Sequence, residues 1–317
     1  FANGSTLTFK HTGFERGAVH VRLRFGDGLA GLPSDQPSLA WLGGLVAPSG
    51  LAGLDLDAME RLLTGRRINL AFGVDDDAFV LSAQTSAADL TDQLRLFSAK
   101  LTDPNWDPAL FARFRNSAVE SFDLHFTSAS ARANREMAGV IRPNDERWRP
   151  IEREEMAGAT VEQFRDFFAP LLAQGPVHAI VVGDMELEAA VEAMRSTVAA
   201  LPPRPEPQVP AGAAAVRPPA PDPEPRTFTH QGDPDQAYAL IGWSTLGGRD
   251  RLLDRRALAL AANMFQVRLF DRLREEEGAT YSPNASHLSS EAFPEWGIFY
   301  ASAEIRPESA ETFFRIA

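Results

Sequence analysis

Two short stretches of this chain repeat each other at a fixed distance, and that repeat constrains the fold more than any other feature. Thr8-Phe9-Lys10-His11-Thr12-Gly13, with Ala18 beyond it, returns as Thr227-Phe228-Thr229-His230-Gln231-Gly232 with Ala237, every matched pair 219 residues apart. A chance match predicts nothing further, whereas a duplicated domain predicts where later elements fall. In the first copy Ala78 to Gln84 reads as a strand. Ala88 to Leu101 reads as a helix with Leu90, Leu94, Phe97 and Leu101 on one face. The same offset expects a strand near Gly297 to Ala303 and a helix starting near Pro307. There the sequence alternates through Phe299, Ala301, Ala303 and Ile305, and Pro307-Glu308 suits a first helical turn.

The reading is therefore a duplicated domain. Residues 1–201 form the first copy and 227–317 the opening part of the second. Ala317 is the counterpart of Ser98, so the second copy is expected to be truncated. Between them, residues 202–226 hold ten prolines, which cannot donate to a sheet ladder and predict an extended, semi-rigid linker. A ligand for proline-binding modules is the functional alternative, and the position at the repeat boundary favours the linker.

Within the first copy, Ala18 to Gly26 reads as a strand and Pro37 to Val46 as a short helix. Ile68 to Val74 and Ala78 to Gln84 flank the turn Asp75-Asp76-Asp77. Leu110 to Phe122 and Val161 to Leu171 read as amphipathic helices, Val177 to Val182 as a buried strand and Glu186 to Leu201 as a closing helix. Helices clustered between runs of strands predict an α+β layer and not a doubly wound sheet.

Composition narrows the function. Hydrophobic content of 44% and charged content of 23% are those of an ordinary globular protein. No apolar run approaches the ~18–20 residues that span a bilayer, and Phe1-Ala2-Asn3-Gly4 does not begin a signal peptide. A start at Phe1 inside an apparent strand is expected of a piece of a longer protein. The net charge of −12 argues against nucleic acid as the main partner. The chain has no cysteine, which excludes disulfides, thiolate metal sites and cysteine nucleophiles.

Chemistry concentrates in Leu273-Arg274-Glu275-Glu276-Glu277-Gly278-Ala279-Thr280-Tyr281-Ser282. Leu269, Phe270 and Leu273 read as a helix ending near Gly278, and Ala279 onward as a strand. This places a permanent cation on a last helical turn and a neutral phenol on the adjoining strand. Both can donate to a carbonyl oxygen that becomes an oxyanion. The bland alternative is that Arg274 only complements the helix dipole.

Leu269 to Arg274 followed by Gly278 to Ser282 resembles the Arg/Tyr segment of the M16 zinc metallopeptidases, the insulinase, pitrilysin and mitochondrial-processing-peptidase-like family. Phe1 to Leu7 is similar to the family's opening strand. Val177 to Asp184 with Met185 and Glu186 is similar to its late strand-to-helix step. The resemblance implies the LuxS/processing-peptidase-like M16 fold, a mixed sheet of about six strands, a common sheet size, with helices on one face. It further implies the carboxy-terminal half of a two-half enzyme that closes around an unfolded peptide. Arg274 and Tyr281 would be catalytic, Gly278 would end the helix sharply enough to aim both, and Asp233 and Gln236 would line the substrate cleft. The partner would be an amino-terminal half bearing zinc, in the same chain or another subunit. A bacterial periplasmic setting is implied for such a long protein.

The family's zinc motif, His-x-x-Glu-His, is absent, since no two of His11, His20, His125, His178, His230 and His287 lie closer than nine residues. Rough alignment puts Pro37, Ala40 and Trp41 where the ligands and base would stand. No metal is therefore expected in this chain, which alone should be inactive. His11 and His230 are expected at a shared structural position on an opening strand, His178 as structural, and His287 as a sheet residue or a cleft residue. Asp75-Asp76-Asp77 reads as a solvated turn, and Arg249-Asp250-Arg251 with Arg255 and Arg256 as a solvated helix face. Two alternatives stay open: a non-catalytic M16-like scaffold subunit, or a peptide-binding module using an exposed sheet edge.

Overall fold

A computed structural model describes residues 1–54, 56–213, 215–277 and 283–317. The first strands and helices are β1 (Thr6–His11), β2 (Val19–Phe25), α1 (Leu56–Leu63), β3 (Ala71–Val74), β4 (Phe79–Thr85), α2 (Leu90–Thr102) and α3 (Pro108–Glu120). They are followed by α4 (Ala129–Val140), α5 (Arg153–Gly158), α6 (Val161–Leu172), β5 (His178–Gly183) and α7 (Leu187–Arg195). Last come β6 (Ala237–Thr245), α8 (Leu252–Glu277), β7 (Asn284–Ser289), β8 (Gly297–Ile305) and α9 (Ala310–Ile316). The chain is a mixed α+β protein.

Packing divides it into two units. The first comprises Phe1–Leu32, Ser38–Ser117 and Glu154–Pro210, and the second Pro33–Pro37, Ala118–Arg153 and Ala211–Ala317. The first unit holds a five-stranded sheet in the order β1-β5-β2-β4-β3, with β1 parallel to β5 and the other pairs antiparallel. Period-two alternation sets its faces. Val19, Val21, Leu23 and Phe25 of β2 are buried, while His20 and Arg22 between them are exposed. Onto the buried face pack Leu94 and Phe97 of α2, Phe164 and Phe168 of α6, and Met194 of α7. Helix α6 starts at Thr160, whose hydroxyl accepts from Gln163 N while the Gln163 side chain reaches back to the Thr160 amide, a capping box.

The short helix expected at Pro37 to Val46, between β2 and α1, is of the 3-10 type. Leu39–Leu45 forms a 3-10 turn opened by the Ser38 side chain, which accepts from Ala40 N. Its two adjacent glycines, Gly43 and Gly44, disfavour a regular helix. Gly28, just after β2, has φ +55°, and a Cβ there would stand 2.2 Å from Asp75 O and 2.5 Å from Ala78 N. Gly28→Ala is expected to lose about 1–3 kcal/mol from backbone strain and displacement of the β3–β4 turn, measured as the shift of the urea midpoint.

The second unit carries a three-stranded antiparallel sheet ordered β6-β8-β7. Ala239, Ala301, Ala303 and Ile305 form its buried face with Leu269 and Leu273 of α8 and Phe313 of α9. Thr227 to His230, expected to repeat an opening strand, is irregular backbone. A strand requires a ladder partner, and β1 finds its partner in β5, whereas the sheet of the second unit has no described strand in that role.

The 202–226 stretch has no regular structure among its described residues, yet its start is pinned. The Arg204 guanidinium donates to Leu172 O, Gln174 O and Gly175 O, satisfying carbonyls at the end of α6. The unit boundary also differs from the sequence reading, because Ala118–Arg153 joins the second unit. The cause is a set of stacked cations and aromatics. Arg142 lies 3.7 Å over the Trp296 ring, Trp296 Nε1 donates to Ile141 O at 2.9 Å, and Trp148 meets Phe293 edge-on at 5.5 Å. Among the described residues, no helix is long and apolar enough to cross a membrane.

Candidate functional site

The candidate site is built on α8, a helix of 26 residues. Leu269 and Leu273 turn inward and are buried against the second unit's sheet, so the 100° step per residue swings Arg274 outward. Arg274 is exposed on the last turn and forms no ion pair with another described residue. A cation at this end of a helix sits favourably in the macrodipole, and nothing described neutralises it. Tyr281 and Gly278 lie outside the described residues, as does the start of the strand expected from Ala279. The described strand on that side is β7, from Asn284.

Helix and strand are fastened to each other. The Gln266 side-chain oxygen accepts from Ala285 N at 3.2 Å, and Arg255 reaches Glu291 at 2.8 Å. Arg255, expected on a solvated face, is thus half-buried and paired. His287 on β7 lies 2.9 Å from Thr245 Oγ1 through Nε2. Burial, and then the nearby Arg255 charge, hold its pKa below the ordinary histidine value, so the ring is neutral at pH 7. It occupies a sheet position with a satisfied hydrogen bond.

Asp233 and Gln236 stand together in one turn before β6. The Asp233 carboxylate accepts from Asp235 N at 3.0 Å, and its carbonyl accepts from Gln236 N at 3.1 Å. Both side chains are exposed. The Asp233 carboxylate holds the turn, which is a local structural role. His230 Nε2 lies 2.9 Å from Gln236 O, and His11 Nδ1 lies 3.0 Å from Met185 O. The repeat-matched histidines therefore both meet a main-chain carbonyl, although only His11 is on a strand.

No group of three or more potential metal ligands occurs among the described residues. At the positions weighed as replaced zinc ligands and base, Trp41 stacks on Phe114 with ring centroids 6.0 Å apart, and Pro37 and Ala40 offer no donor atom. The residues present do not fit a zinc ion. Asp75 and Asp77 are both occupied by Arg24, as befits a turn.

Lys100 and the arginine stacks were not anticipated. The Lys100 side chain is fully buried and donates to Ser49 Oγ at 2.9 Å and Gly50 O at 2.6 Å. Desolvation lowers its pKa to about 8. A lysine one turn from the end of an amphipathic helix gives no sequence signal that it points inward.

Comparisons with known proteins agree with this architecture. Residues 158–316 match the family model described as Peptidase M16 inactive domain. The periplasmic protease PqqL from Escherichia coli is similar at a TM-score of 0.78 and 16% identity, over 99% of this chain and 34% of that one. The M16 inactive domain from Pseudomonas fluorescens is similar at 0.75 and 20%, over 99% and 75%. The ferredoxin protease FusC, in complex with Arabidopsis ferredoxin, is similar at 0.70 and 14%, over 99% and 34%. This chain thus spans about a third of the length of PqqL. No curated protein sequence matches it. At such identities the solved structures establish the fold alone, and the matched model, covering half of the chain, establishes the family: the chain belongs to the M16 peptidases, through their inactive domain.

Proposed function

We propose that this chain is the non-zinc half of a two-half M16 metallopeptidase, forming the wall of the substrate chamber and supplying Arg274 and Tyr281 to peptide hydrolysis. The observation that carries this is Arg274 itself, an exposed cation on the last turn of a long helix whose neighbours Leu269 and Leu273 are locked in the core. In this reading Arg274 holds a substrate carbonyl and the negative charge that develops on it, and Tyr281 donates its hydroxyl to the same oxygen. Gly278 frees the backbone between them, and Asp233 and Gln236 border the cleft. The zinc-bearing half supplies the activated water and holds that ion. Substrates are unfolded segments of proteins, in keeping with the protein-directed proteases among the similar structures, and the compartment is the bacterial periplasm named for PqqL. Residues 1–201 and 227–317 are read as two copies of one domain joined by 202–226.

The test is cleavage of a quenched peptide library by the full-length parent, with and without chelator, beside Arg274→Ala and Tyr281→Phe. Each substitution should lower kcat/KM by about 10²–10³, the cost of one oxyanion donor, with the fold intact by circular dichroism. The 317-residue chain alone should cleave nothing and bind no stoichiometric zinc. A folded, zinc-free parent with no cleavage would assign the protein to the scaffold alternative. Tight zinc binding by the isolated chain would overturn the reading outright.

A further inference from the structure

The sheet of the first unit ends in a polar cleft. It lies where β2 begins and β4 ends, has a volume of about 510 Å³, and is lined by Glu15, Arg16, Arg66, Arg67, Asn69 and Gln84 among others. Three guanidinium groups thus stand against one carboxylate in that lining, on a chain whose net charge is −12. The cleft is held in shape by hydrogen bonds of its own. Gln93 of α2, fully buried, accepts from Asn69 N at 3.1 Å and donates to Asn69 O at 2.8 Å, pairing with that backbone as a strand would. Asn69 Nδ2 in turn donates to Gln84 O at 2.7 Å. The Asp89 carboxylate, at the start of α2, accepts from Arg67 N at 3.1 Å and from Ser86 Oγ at 2.9 Å. A frame fixed in advance lowers the ordering cost of binding.

Charge is divided unevenly within this frame. Arg66 is paired with Asp89 and Asp92, and Asp92 also with Arg95. Both Glu15 oxygens are occupied, one by Gln84 Nε2 and the other by His20 Nε2, each at 2.9 Å. Arg67 donates to Gly17 O at 3.2 Å and forms no ion pair with a described residue. Arg16 forms none either, and both side chains are exposed. The side-chain oxygens of Asn69 and Gln84 accept from no described group. Thr85 also lines the cleft, and its hydroxyl has no hydrogen-bond partner among the described residues. Two cations and a set of polar oxygens are therefore available to a ligand.

We infer that this cleft binds a small polyhydroxylated oxyanion, its carboxylate or phosphate group held by Arg16 and Arg67 and its hydroxyl groups donating to Asn69 and Gln84. Guanidinium groups match the paired oxygens of either anion. The volume falls in the range of small-molecule sites and exceeds what a bare ion fills, so the ligand has a body. The amide oxygens make that body a polar one. None of these residues takes part in the peptidase reading.

The probes are glucose 6-phosphate and gluconate, with glucose as the uncharged control, titrated into the 317-residue chain by calorimetry at low ionic strength. Saturable binding of at least one anion is expected, and none of glucose. A preference between the two anions identifies the group that the arginines hold. Arg16→Gln and Arg67→Gln should each weaken binding at least tenfold with the circular dichroism spectrum unchanged. Arg16→Gln keeps the test sound even where Arg67→Gln loosens the contact with Gly17. Arg95→Gln, which removes a cation outside the lining, should leave binding within twofold. Failure of both anions to bind the folded chain overturns the proposal, as does glucose binding as tightly as they do. Binding indifferent to Arg16→Gln, or weakened equally by Arg95→Gln, overturns it as well.

Discussion

Arg147→Ala is expected to cost the second unit about 3–5 kcal/mol, the penalty for removing one partner of a buried ion pair. The Arg147 side chain is fully buried and that of Asp145 nearly so. They meet through Nε to Oδ1 at 2.8 Å and Nη2 to Oδ2 at 2.5 Å, the two-pronged geometry that only arginine offers. Truncation leaves the Asp145 carboxylate without its guanidinium partner and also removes the contacts of Arg147 with the Trp148 and Phe293 rings. The double substitution Arg147→Met with Asp145→Leu should recover most of the loss, because a desolvated pair contributes little net stability relative to apolar packing. About 1 kcal/mol should stay lost, since Asp145 also accepts from Arg147 N in opening a helical turn. Urea unfolding followed through tryptophan fluorescence checks both values. A single variant no less stable than the parent protein would refute the assignment of a stranded charge.

The second large effect is a dependence of stability on pH that runs upward into the alkaline range. The Lys100 ammonium has two hydrogen bonds and, among the described residues, no carboxylate partner. Its pKa falls from 10.5 to about 8 through burial. Between those values the unfolded chain binds the proton that the folded chain has released, so stability rises with pH across this window and levels off above it. The full span is about 3 kcal/mol. Below pH 8 both states are protonated and the burial cost is present in full. Lys100→Met should flatten the profile between pH 8 and 10.5. A slope unchanged by this substitution would show that another group produces it.

Much of the first unit was legible in the sequence because its elements are one-sided. The alternation of Val19, Val21, Leu23 and Phe25 located β2 to within a residue, and the threefold and fourfold spacing of Leu90, Leu94, Phe97 and Leu101 located α2 within two. Helix α8 was legible at its two ends, as a charged helix face around Arg255 and Arg256 and as the apolar run from Leu269. Its apolar residues surround the helix, so no period stands out before Leu269. The grouping of Ala118–Arg153 with the second unit was also hidden. It depends on arginines stacked upon Trp148 and Trp296, and a cation read alone signals solvent. Of the candidate site, Arg274 was recognisable as part of a motif, whereas the turn-holding role of Asp233 required its backbone partners. Matched hexapeptides give 219 residues, but the buried faces align Val21 with Ala239 and Leu81 with Ala301. That is 218 residues on one strand and 220 on the other, which leaves the ladder register unchanged.

That opposed one-residue offset has a practical consequence for anyone recombining the two halves. A chimera cut at a uniform spacing of 219 would carry Ser244 and Ile298 into the places of Phe25 and Phe79. Every ladder hydrogen bond would still form, so the graft would pass a main-chain superposition. Trp243 and Phe299 would nevertheless emerge on the solvent side, and Gly242, Ser244 and Ser302 beneath the helices. Junctions set one residue early before β6 and one residue late before β8 would instead exchange Phe25 with Trp243 and Phe79 with Phe299, aromatic for aromatic.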